Sequence, residues 1–278
     1  MVLAIAERDI GMNIQRAKIF FIHNFIFYLV GSLAVLGVKY YYSQADCDSL
    51  LWILAPTTRW VELLSGIPFT YISGTGYVNH DLRLWIAPSC SGVRFMVITM
   101  AMLIFSFVHA GASPKDTQSP TSVGWMGRGL CWIAASIIFS WLITILVNGL
   151  RIIAAIYLPQ CLERAGLMRG MLTPGRLHTM IGVVVYFTAL LIVYRLVDYV
   201  VQRKIGLISE KQFLRALSRK CVPPIFWYFL MTLGLPFLNR AYLNGRTEFT
   251  EFAVVVIGCM VLILLPYFLL TLLHNKRA

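Results

Sequence analysis

The chain reads as an all-α polytopic membrane protein: about six transmembrane helices, one interfacial helix and a small extracytoplasmic β-meander. Three observations point there. Hydrophobic residues make up 59% of the 278, and charged residues only 13%, about half the charged share of soluble domains. Mean hydropathy is +0.75. The apolar residues gather into runs of the ~18–20 residues that a bilayer crossing needs, separated by short stretches that carry most of the charge.

The runs place spans at Ile19–Val38, Val93–Ala110, Leu130–Leu150, Met180–Val200, Pro224–Asn244 and Phe252–Leu273. The first is not the apolar part of a cleaved signal peptide. It is long, follows a polar stretch and has no small-residue cleavage site before Lys39. Leu50–Ser65 is apolar but short, and it contains Pro56, Arg59 and Glu62. It is expected as an amphipathic helix on the outer surface; were it to span, Cys90 would move to the inner side. In Phe69–Ile86 the turn sequences Gly74-Thr75-Gly76 and Asn79-His80-Asp81 separate short β-type pieces. These pieces form the expected meander.

Orientation follows from charge, because Lys and Arg are retained on the cytoplasmic side. With both termini inside, Lys18, Lys115, Lys204, Lys211, Lys220 and Lys276 all fall inside, and only Lys39 falls outside. The net charge of +12 is then a topology signal, and nucleic acid is not an expected partner; the lipid bilayer is. The basic segment Arg203–Lys220 reads as an inner loop with an interfacial helix. One membrane domain covers 1–278, with a catalytic core at about 50–200 and a two-helix extension at 201–278. The six cysteines show no CxxC spacing and no histidine cluster, so neither a metal nor another cofactor is expected.

The expected topology brings three reactive residues to one surface. Cys90, followed by Ser91 and Gly92, opens a span. Helix N-termini carry unpaired N–H groups and partial positive charge, which favour the nucleophilic thiolate form of a cysteine. Arg151 follows Asn148 by three residues, on one helix face, at the end of another run. His178 opens a third. Cysteine as nucleophile, histidine as base then acid, and arginine as oxyanion or thiolate stabiliser compose an acyl-transfer site. Taken singly, each has a plainer reading: a small residue at a span start, an interfacial anchor, a structural histidine.

At these residues the chain resembles the exosortase/archaeosortase family of membrane cysteine transpeptidases. The resemblance rests on Cys90-Ser91-Gly92, on Asn148-Gly149-Leu150-Arg151, and on His178 followed by Gly182. It covers about Ala87–Gly182. It implies Cys90, Arg151 and His178 as catalytic residues, with Asn148, Ser91 and Gly92 supporting them. It further implies a membrane-anchored protein substrate with a C-terminal sorting tail: a short motif, often Pro-Glu-Pro, then a membrane helix and a basic end. Processing would occur on the outer face of the cytoplasmic membrane. Among the outer arginines, Arg169 and Arg176 are expected to attract an acidic residue of that motif. Unlike many members, the chain has one clear span before the cysteine, and it has a two-span unit after His178.

Two other readings use the same residues. A cysteine protease would give the acyl group to water instead of an amine. A transporter or assembly subunit of an exopolysaccharide export system would use Arg151 and His178 for an anionic ligand, and would not need Cys90.

Overall fold

The computed structural model describes residues 24–107, 123–166, 173–205 and 221–275. Seven helices carry the fold: α1 (Asn24–Gln44), α2 (Leu51–Ser65), α3 (Val93–Phe107), α4 (Val123–Arg164), α5 (Pro174–Ile205), α6 (Val222–Leu238) and α7 (Arg246–Asn275). Among the described residues, five helices are long and apolar enough to cross a membrane, and α6 is apolar but shorter. Many large side chains on them face outward, among them Leu33, Ile138, Leu142, Val254 and Leu262. Such a surface fits lipid. The protein is a helical membrane protein.

Contacts at both ends of the bundle give the directions of the helices. At one end Phe107 packs on Trp132 and on Tyr194, and Tyr28 stacks on Phe105. At the other end Phe95 stacks on Tyr186. So α3 and α5 run the same way, and α1 and α4 run against them. Helix α6 passes Phe187 at Tyr228 and runs against α5. Arg176 near the start of α5 meets Glu251 near the start of α7 at 3.0 Å, so α7 runs with α5. Close approach is built in at glycines: a Cβ at Gly31 would lie 2.6 Å from Ile104, and one at Gly129 would lie 2.2 Å from Phe27.

Three differences from the sequence expectation have physical causes. Helix α4 does not stop at Leu150 but runs on to Arg164, through Pro159. Arg151 is therefore inside a helix, not at its end. The second concerns α6. Pro236 lacks an N–H and crowds the preceding turn, and the helix widens there into a π turn at Leu230–Gly234, closed by the Leu235 N–H on the Leu230 carbonyl. Arg240 then takes a left-handed conformation (φ 57°), and the helix is over. The third concerns α2, which lies lengthwise on α4: Trp60 sits against Gly149, and the Tyr157 hydroxyl donates to the Ser65 carbonyl at 3.4 Å. Ile53, Leu54, Thr57, Thr58 and Val61 are buried.

Gly66 closes α2 in the left-handed conformation, with its N–H on the Glu62 carbonyl. The chain then forms three short antiparallel strands: β1 (Thr70–Ile72), β2 (Gly76–Asn79) and β3 (Leu84–Ile86), in the order β1-β2-β3. Asp48 ties this sheet to the end of the α1–α2 connection. Its carboxylate accepts from the Gly74 N–H at 3.0 Å, the Ser73 hydroxyl at 2.7 Å and the Tyr71 hydroxyl. The Gly74 N–H and then the two hydroxyls hold the Asp48 carboxyl below its usual range. The same bond pushes Tyr71 up to about 12.

Candidate functional site

After β3 the chain makes a single tight turn at Pro88–Cys90 before α3. The Cys90 N–H bonds the Ala87 carbonyl at 2.8 Å, and the Ser91 N–H bonds the Pro88 carbonyl at 3.1 Å. Gly92 then takes a left-handed conformation (φ 74°). A Cβ there would lie 2.8 Å from the Asn148 amide carbon. Only glycine combines that backbone with that neighbour. Helical bonding resumes at once, with the Met96 N–H on the Gly92 carbonyl.

Across the interface, α4 presents Asn148, which is fully buried, and Arg151, which is 8% exposed. The Asn148 amide N–H donates to the Cys90 carbonyl at 2.6 Å. Its amide oxygen accepts from the Tyr186 hydroxyl at 2.7 Å and from Arg151 Nη1 at 3.3 Å. Arg151 Nη2 lies 2.7 Å from His178 Nε2, and Nη1 lies 3.4 Å from the Tyr186 hydroxyl. The guanidinium carbon sits 5.5 Å from the centre of the Tyr186 ring.

Helix α5 supplies His178, Gly182 and Tyr186 at intervals of four, which puts them on one face. Gly182 faces the Arg151 side chain: a Cβ there would meet Nε at 3.5 Å, an ordinary contact. The start of α5 is set locally. Pro174 takes the first helical turn, and the Thr173 hydroxyl accepts the Arg176 N–H at 3.3 Å.

Cys90, Arg151 and His178 line one cavity of about 150 Å³. Its other walls are Phe69, the strand β3, and Ile152, Ala155 and Ile156 of α4. Among the described residues, no hydrogen bond joins the Cys90 sulfur to Arg151 or His178; the three meet across the cavity.

A guanidinium has only donors, so His178 Nε2 accepts the bond from Arg151. The imidazole in this arrangement is neutral, with its proton on Nδ1. Among the described residues no carboxylate is paired with Arg151, and its Nε has no hydrogen-bond partner. The Ser91 hydroxyl, fully buried one residue beyond Cys90, has none either. A buried charge without a counter-ion is costly, and this cost makes the cavity receptive to negative charge.

The structure thus brings together Cys90, Arg151, His178, Asn148 and Gly92. Ser91 is packed beside them. Arg176 is at the same end but does not line the cavity; its guanidinium is bonded to Glu251. Arg169 lies outside the described residues, as do residues 206–220 of the basic loop. Tyr186 was missed, although its spacing of eight from His178 was a readable signal. All six cysteines are free thiols, and among the described residues no group of three His, Cys, Asp or Glu is placed to hold a metal. Comparison with family models, with curated proteins and with solved structures finds no match for this chain.

Proposed function

We propose that the chain is an exosortase-like membrane cysteine peptidase or transpeptidase acting on proteins with a C-terminal sorting tail. One observation carries this reading: a buried Arg151, without a carboxylate partner among the described residues, bonded to His178 in a cavity shared with Cys90. A buried cation without a counter-ion is costly to hold in a helical bundle. Beside a thiol, the Arg151–His178 pair has a direct use.

The chemistry runs as follows. A substrate carbonyl enters the cavity and takes donors from Arg151. Nε2 of His178 is then free to receive the Cys90 proton. The thiolate attacks the carbonyl carbon, and the guanidinium balances the negative charge on the oxygen. The imidazolium returns its proton to the leaving nitrogen, the C–N bond breaks, and an acyl thioester remains on Cys90. An amine or water then attacks the thioester carbon, losing its proton to His178; the C–S bond breaks, the acyl product leaves, and the proton returns from His178 to the Cys90 sulfur.

Lysine placement supports an outer-face site in the cytoplasmic membrane, with both termini inside. Helix length supports it too. From Val123 to Arg151 is about 42 Å of helix, close to the ~40–45 Å of a bilayer with its headgroups. The remaining ~20 Å of α4 would stand above the membrane, with α2 and the sheet around it. The tail's motif would then lie beside β3, and Arg169 and Arg176 would attract its acidic residue from the rim. A membrane-impermeant maleimide should label Cys90 in intact cells with the other cysteines replaced; labelling only after permeabilisation would invert the topology.

The activity is tested by co-expressing a tail-bearing membrane protein with this chain. Cys90→Ala, Arg151→Ala and His178→Ala should each reduce processing by at least ~10³-fold while the protein accumulates in the membrane. Arg151→Lys should fail as well, because a point charge does not reproduce the fork. Full processing with Cys90→Ala would remove the enzyme reading and favour the export subunit, which uses Arg151 and His178 without the thiol.

A further inference from the structure

Tyr186 lies half-buried two turns below His178, on the same face of α5, with its ring stacked on Phe95 of α3 at 4.7 Å between centroids and 11° between planes. Its hydroxyl hydrogen-bonds both α4 side chains. It donates to the Asn148 oxygen at 2.7 Å and accepts from Arg151 Nη1 at 3.4 Å.

The direction of those bonds matters. An Asn side chain has one acceptor end and one donor end. The Asn148 donor end must face the Cys90 carbonyl, since a carbonyl can only accept. The acceptor end must then face Tyr186 and Arg151. If the hydroxyl is removed, one partner of the acceptor end is gone, and the Arg151 bond alone, at 3.3 Å, has to hold the amide. Asn148 is fully buried, so no solvent contact replaces the loss. The consequence reaches in two directions. The Cys90 carbonyl loses a fixed anchor, and the guanidinium loses the hydroxyl that sets its height in the cavity.

We infer that Tyr186 is a positioning residue: its hydroxyl orients the Asn148 amide and thereby fixes the Cys90 turn relative to the Arg151 guanidinium. The inference rests on the catalytic reading of Cys90 and Arg151. Stacking on Phe95 holds the ring independently of the hydroxyl. The predicted loss therefore comes from one oxygen atom, not from packing.

The test needs no substrate. In the full chain, with the other five cysteines replaced, Cys90 is alkylated with iodoacetate and with iodoacetamide, and the ratio of the two rates is compared with that of a free cysteine. A guanidinium beside the thiol raises the ratio, because only iodoacetate is an anion. In the parent chain the ratio should exceed the free-cysteine value by about tenfold, the factor that ~1.4 kcal/mol of charge attraction gives at 25 °C. Tyr186→Phe, which keeps the ring, should lower the ratio at least threefold with unchanged membrane accumulation. Asn148→Ala, which removes the other end of the same bond, should lower it to a similar extent, and the double variant should fall no further. An unchanged ratio in Tyr186→Phe, or losses that multiply in the double variant, would overturn the role given to Tyr186. A parent ratio equal to that of free cysteine would instead overturn the catalytic reading on which that role depends.

Discussion

Helix α4 carries a polar side chain once per turn at Ser136, Ser140, Thr144 and Asn148, yet the first three and the last are used differently. The hydroxyls of Ser136, Ser140 and Thr144 are buried, and each donates to the carbonyl four residues back in its own helix, at 2.8, 2.6 and 2.7 Å. Around that end of the bundle, aromatic rings do the packing, as at Phe107, Trp132 and Tyr194. Asn148 bonds nothing in its own backbone; it joins the Cys90 turn to Arg151 and Tyr186. Polar groups satisfied within one helix let helices approach in an apolar medium. Polar groups satisfied only across three elements fix relative positions, and positions are what an acyl-transfer site requires.

The comparison breaks most sharply at the Cys90 turn. Gly92→Ala places a Cβ against Asn148 in a left-handed backbone, a strain of ~1–3 kcal/mol. It should lower processing by ~10²-fold or more, and a thermal aggregation assay on solubilised protein should show the fall in stability. An active, equally stable variant would mean that the Cys90 turn and Asn148 are not locked together. One turn before Asn148 in α4, Thr144→Val removes a hydroxyl of the self-satisfied kind. Stability should change by less than ~1 kcal/mol, and processing should remain within about twofold, since ~0.4 kcal/mol separates rates by that factor. A loss like that of Gly92→Ala would erase the distinction between the two halves.

A smaller effect sharpens the contrast outside the membrane-spanning segments. Asp48 is exposed, and its folded-state pKa is depressed by the Gly74 N–H and the Tyr71 and Ser73 hydroxyls. Its contribution is therefore present above the ordinary carboxylate pKa of ~3.9 and is lost as pH falls through the folded value. Limited proteolysis around Ser73–Gly76 should speed up in acid in the parent chain. In Asp48→Asn it should already be fast at neutral pH. Equal rates in both chains at neutral pH would show that Asp48 does not hold the sheet.

Much of this organisation was legible in advance, for identifiable reasons. Cys90, Arg151 and His178 stand out together, because charge and span length bring all three to one membrane surface while each alone has a plainer reading. The five long helices followed from apolar length alone. The continuation of α4 past Arg151 did not, because hydropathy marks where a span ends and not where a helix ends. Pro159 does not end it, since a proline on a partly exposed helix costs one bond without stopping the chain. The shortening of α6 depends on how Pro236 perturbs the turn before it, which composition does not record. The charge of Arg176 is legible in the sequence; its bond to Glu251 is not, because it depends on α5 and α7 lying side by side. Tyr186 shares the His178 face by its spacing of eight, but its bonds to Asn148 and Arg151 depend on how α4 meets α5, which spacing does not record.

The central claim is that the Cys90 sulfur becomes covalently attached to substrate. The direct measurement is the mass of the Cys90-containing peptide, isolated from membranes after brief co-expression with a tail-bearing protein. The account predicts an acyl adduct on Cys90 that hydroxylamine removes and that is lost in the Arg151→Ala chain. Product formation with no adduct, together with undiminished product in the Cys90→Ala chain, would contradict it.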